Sequence, residues 1–94
     1  MMNDRIKTSV DSRLSRIAGQ IAGIRRMIAE DRYCVDILTQ TTAAVSALRG
    51  VEDLVMRNHI ATCVTEAIRG DDPDEQQEKV DELIAVIGKF RKHG

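Results

Sequence analysis

The stretch Tyr33–Arg69, YCVDILTQTTAAVSALRGVEDLVMRNHIATCVTEAIR, contains no proline. Val35, Leu38, Thr42, Val45, Leu48, Val51 and Val55 recur along it in steps of three and four, the spacing of one helical face. Gly50 is its only glycine and lowers helix propensity by roughly 1 kcal/mol without ending the helix. A helix of this length extends ~55 Å at 1.5 Å per residue, too long for a compact monomer of 94 residues. Its ends are therefore expected to lie against something else.

Upstream, Val10, Leu14, Ile17, Ile21, Ile24 and Ile28 form a coiled-coil-like stripe on a first long helix. That pattern gives way near Glu30 and Asp31, and Asp31 is expected to cap the second helix. Downstream, Gly70-Asp71-Asp72-Pro73 is the clearest break. Gly70 suits a helix C-cap, Asp72 an N-cap, Pro73 the first helical position, and Glu75 completes a capping-box pattern. A shorter third helix follows, with Val80, Leu83, Ile84 and Ile87 as its apolar face and Lys89, Arg91 and Lys92 favouring its C-terminal dipole. The expectation is an all-α fold and one domain over residues 1–94.

Tyr33 and Phe90 are the only aromatics, so the core must be aliphatic. A chain this short gains stability by sharing long helices with other subunits. The formal net charge is -1, yet Arg5, Lys7, Arg13, Arg16, Arg25 and Arg26 crowd the first stretch while acids gather after Gly70. A basic surface on a near-neutral protein is thus available to nucleic acid. With no secretory signal or membrane-spanning run, the cytoplasm is the expected location. There, two cysteines are ligands or reactive thiols more readily than a disulfide. No phosphate-binding glycine loop or Ser/His/Asp ordering is present, and neither His59 nor His93 has a catalytic setting, so an enzyme is not expected.

His59 and Cys63 are four apart and project from neighbouring turns. At about 100° per residue, Cys34 falls within roughly 20° of both around the axis, but ~37 Å from His59 along it. One continuous helix cannot unite them; an antiparallel second copy can. The twofold axis then falls near Ala47 and Leu48, among the small residues Thr41, Thr42, Ala43, Ala44 and Ser46. Each of two equivalent sites takes Cys34 from one chain and His59 and Cys63 from the other. Two thiolates and an imidazole suit Cu(I), whereas structural zinc usually wants four ligands. The residues alone leave a plainer reading open: two buried cysteines and an ordinary helical histidine.

The runs RLSRIAGQIAGIRRMIAEDRYCVDILTQTTAAVSALRG, NHIATCV and DELIAVIGKF, with RYCVD at Arg32–Asp36 most specific, resemble the CsoR/RcnR family of bacterial repressors. The resemblance covers about Arg13 to Phe90. It implies a three-helix protomer, an antiparallel helical-bundle homodimer, a dimer of dimers (homotetramer), and binding to double-stranded operator DNA that the effector weakens. Its copper branch implies Cys34, His59 and Cys63 as ligands of Cu(I), one per protomer, with Tyr33 and Glu82 as outer partners of the histidine. Nickel or cobalt sensors have histidine at the Cys63 position and an N-terminal histidine, both absent here. Formaldehyde sensors lack the Cys63 cysteine, and persulfide sensors lack the His59 histidine, whereas this chain has both.

No helix-turn-helix or zinc finger is visible, so a flatter helical surface must meet DNA. Arg13, in the family-like R-L-x-R segment, is the leading contact, followed by Arg16, Arg5, Arg25, Arg26 and Arg49. Exposed arginines are also ordinary solubilising groups. Gly19 and Gly23 leave room for either DNA or another helix. Rival functions are a thiol-based persulfide or oxidant sensor of the same fold, a structural coiled-coil adaptor, and a copper buffer.

Overall fold

A computed structural model describes residues 2–91, which leaves Lys92 and His93 outside the described residues. The order is α1 (Asp4–Ala29), α2 (Cys34–Arg69) and α3 (Pro73–Arg91), and no strand occurs among the described residues. The expected all-α, three-helix protomer is thus observed. Two compact units divide the chain after Val55.

The first unit holds α1 and the opening turns of α2. Asn3 starts α1 by accepting the Ile6 N–H on its side-chain oxygen at 2.9 Å, and Asp4 sits in the first turn, where a negative charge suits the helix dipole. The α1 terminus is a Schellman motif: Arg32 N–H bonds to Met27 O at 2.9 Å and Asp31 N–H to Ile28 O at 3.2 Å. Asp31 holds φ 53°, a left-handed conformation that a short polar side chain tolerates better than a branched one. Asp31 therefore closes α1 rather than capping α2, correcting the sequence expectation.

The core of this unit is thin: Ile17, Ala44 and Val51 are buried. Val10, Ile24 and Met27 on α1 are half-buried, as are Ile37, Thr41, Ala47 and Leu54 on α2. The expected stripes do not pack as drawn. Leu14, Ile21 and Ile28 of α1, and Val35, Leu38, Val45, Leu48 and Val55 of α2, remain exposed. On α2 the inward face keeps Val51 of the expected stripe but otherwise shifts toward Ala44, because apolar residues surround more of the helix than one neighbour can cover. The threonines add no unpaired hydroxyls: Thr39, Thr41 and Thr42 donate to carbonyls one turn back at 2.8–2.9 Å. Gly50 leaves α2 unbroken, with the Arg13 guanidinium passing over it.

The second unit begins at Met56 and comprises the end of α2 with α3. Asp72 caps α3 by accepting the Asp74 N–H at 3.0 Å, and Pro73 takes the first helical position as expected. Glu75 stays exposed in the first turn. Gly70 ends α2 with its N–H on Glu66 O at 3.0 Å, without left-handed backbone. The half-buried Gln76 then locks the turn, donating to Ala67 O at 2.8 Å and Gly70 O at 2.6 Å. These carbonyls belong to the helix end that lacks intrahelical partners. Among the described residues of this unit, Cys63 is the buried one.

Candidate metal centre

The centre is built on the last turns of α2. His59 and Cys63 project from successive turns, and Sγ of Cys63 lies 3.4 Å from Nε2 of His59. Metal–nitrogen and metal–sulfur bonds of about 2.0 and 2.3 Å sum to more than this separation, so both atoms can reach one ion without moving the backbone. The imidazole is half-buried, and the thiol is only 5% exposed. A buried, unoxidised sulfur beside an imidazole is a soft, oriented donor pair.

Cys34 is the first residue of α2, exposed and free. Among the described residues no group of three or more His, Cys, Asp or Glu side chains could hold a metal ion. Tyr33 is 68% exposed, just before α2, and Glu82 is exposed on α3. Neither side chain makes a hydrogen bond among the described residues, although the Tyr33 carbonyl accepts the Asp36 and Ile37 N–H groups. Arg5, Arg13, Arg16, Arg25, Arg26 and Arg49 are all exposed, the first five on α1. Gly19 has nothing within 4 Å of where a Cβ would stand, so no part of the chain closes over it.

Beside Cys63 the structure opens a shallow groove walled by Val64, Ala67, Ile68, Val80 and Leu83, largely apolar. Lys79 also lines it, and its ammonium is 2.9 Å from the Glu66 carboxylate. That hydrogen bond, with the Glu66 charge, holds the Lys79 proton on more firmly than usual, and the charges of Glu82 and Cys63 add to the effect. Sequence reading passed over Lys79, Glu66 and Gln76. Their signal was the Gly70–Pro73 turn, which folds α3 back so that residues flanking it on either side come face to face.

Three comparisons bear on this arrangement. The sequence profile of a family described as metal-sensitive transcriptional repressors matches residues 6–89. The chain is 40% identical over 86 residues to the copper-sensing transcriptional repressor CsoR of Bacillus subtilis (strain 168), covering 92% of this chain and 82% of that protein. It is 46% identical over 84 residues to the copper-sensing transcriptional repressor RicR of Mycobacterium tuberculosis, covering 89% and 86%. Its fold is similar to the crystal structure of the copper-sensing repressor CsoR with Cu(I) from Geobacillus thermodenitrificans NG80-2. The TM-score is 0.79 at 34% identity, with 97% and 92% of the two chains covered.

Proposed function

This chain belongs to the family of metal-sensitive transcriptional repressors, and from that premise we infer that it is a Cu(I)-responsive repressor. It is not an enzyme; it binds DNA, self-associates and binds copper. The observation that carries the reading is the His59–Cys63 donor pair, 3.4 Å apart, in a chain similar along most of its length to copper-sensing repressors.

The finer assignments follow from the residues. Each site takes His59 and Cys63 from one chain and the partner subunit's Cys34, with one Cu(I) per protomer. Support comes from the unbroken α2, from the exposure of Cys34, and from the lack of a complete intrachain ligand set among the described residues. Cu(I), when bound, supplies a soft cation that favours two thiolates and an imidazole. Two antiparallel copies make the homodimer and two dimers the homotetramer; the exposed Leu14, Ile21, Ile28, Val35, Leu38 and Val45 are the surfaces such assembly would cover. Both units form one sensing and DNA-binding domain, since the family match runs through both.

Metal-free, the protein holds double-stranded operator DNA with Arg13, supported by Arg16, Arg5, Arg25, Arg26 and Arg49. Repetition across four subunits lets a few arginines per chain neutralise many phosphates. Tyr33 and Glu82 link His59 to α3, so ligation displaces the arginine surfaces, with a coupling of roughly 1–3 kcal/mol. No helix among the described residues is long and apolar enough to cross a membrane, and we place the protein in the cytoplasm.

The test is an anaerobic DNA-binding assay on the chain's own upstream region, comparing Cu(I), Zn(II), Ni(II), persulfide and formaldehyde. Release by Cu(I) alone is expected; release by persulfide in its place would make this a thiol sensor. An absence of DNA binding under all conditions would leave a copper buffer or adaptor.

A further inference from the structure

A cuprous ion held by two thiolates and a neutral imidazole leaves the centre with an excess negative charge. Excess charge beside buried sulfur is costly unless a cation stands near. The groove next to Cys63 has apolar walls on most sides, and among the described residues Lys79 is the charged one lining it. Its ammonium is not loose: Glu66, one turn beyond Cys63 on α2, holds it at 2.9 Å.

We propose that Lys79 is the counter-cation of this centre, its ammonium offsetting the thiolate charge against the competing pull of Glu66 and so setting how tightly Cu(I) is held. The proposal rests on the Cys34–His59–Cys63 ligand set proposed above. Cys63 and Lys79 line the same groove. A helix-to-helix clamp needs only the Glu66–Lys79 pair, and Gln76 already ties this turn through two hydrogen bonds. Glu66 competes for the charge of the ammonium, so neutralising that carboxylate leaves the cation freer to act on the centre.

The test is Cu(I) affinity by anaerobic chelator competition on the full-length protein, with thermal melts alongside. Lys79→Met is expected to weaken Cu(I) binding about tenfold at low salt, the scale of one neighbouring charge through a partly aqueous path. The loss should shrink as salt rises, because the Lys79 side chain is 44% exposed. Lys79→Arg should restore affinity, and Lys79→Gln repeats the measurement should the methionine variant melt early. Glu66→Gln should leave Cu(I) binding as tight or tighter. Affinity of Lys79→Met within twofold of wild type would overturn the proposal. Equal weakening by Lys79→Met and Glu66→Gln would also overturn it, since a clamp loses the same from either side. Wild-type protein that fails to bind Cu(I) tightly would instead sink the ligand assignment beneath it.

Discussion

A thiol and an imidazole one helical turn apart need no fold beyond the helix to meet. That is why the His59–Cys63 pair was legible in the sequence and is observed at 3.4 Å. Cys34 was expected as its partner from arithmetic on helical phase and from the family resemblance, and the single chain leaves it exposed. Replacing His59 with Ala should leave metal-free operator affinity near wild type while abolishing release by Cu(I). Fluorescence anisotropy with labelled operator, with and without Cu(I), checks this; normal release by copper would remove His59 from the coupling. Tyr33→Phe and Glu82→Gln should retain Cu(I) binding but reduce the ratio of DNA affinities without and with metal. The Glu66–Lys79 contact has its own pH signature. Lys79 binds its proton more tightly folded than unfolded, so its stabilisation is complete below the usual lysine range and lost as pH rises through the raised folded value. Melting temperatures should show a small alkaline decline that Glu66→Gln flattens.

The end of α1, both ends of α2 and the start of α3 were readable to within a residue or two because their signals are local. Pro73 and Asp72 mark the start of α3 by restricting φ and by offering an oxygen to free N–H groups. Asp72→Ala should therefore cost about 1 kcal/mol, read as a lowered melting temperature. Gly88 lies within α3 with open space where a Cβ would stand, so Gly88→Ala should stabilise by about 0.5–1 kcal/mol. A fall in stability would mean that another subunit approaches there. The role of Asp31 was misread for a specific reason. Asp serves either as an N-cap or as a left-handed residue, and only the backbone φ of 53° separates the two uses.

At the scale of the molecule, one chain leaves too much of its apolar surface in water. Leu38 is 62% exposed and Ile28 58%, although both lie on stripes regular enough to predict burial. Full burial of such a side chain is worth about 1.5–3 kcal/mol, so several per chain supply a strong drive to associate. Leu38→Glu should shift the protein toward monomer in sedimentation equilibrium and lower its melting temperature in a concentration-dependent way. Unchanged mass would rule out this face as the dimer interface. For DNA, Arg13→Ala should weaken operator binding and flatten its salt dependence by about one unit per lost phosphate contact. An unaltered slope would remove Arg13 from the interface.

The amino-acid sequence by itself determined the number of helices, the extent of the second, the turn between the second and third, and the pairing of His59 with Cys63. Each of these depends on neighbours within about one helical turn. The tertiary structure decided which stripe of α2 faces inward, that Asp31 closes α1, and that Glu66 grips Lys79 beside the buried thiol. Those outcomes depend on what packs against a helix, and a helix with apolar residues on more than one side does not carry that choice in its own periodicity.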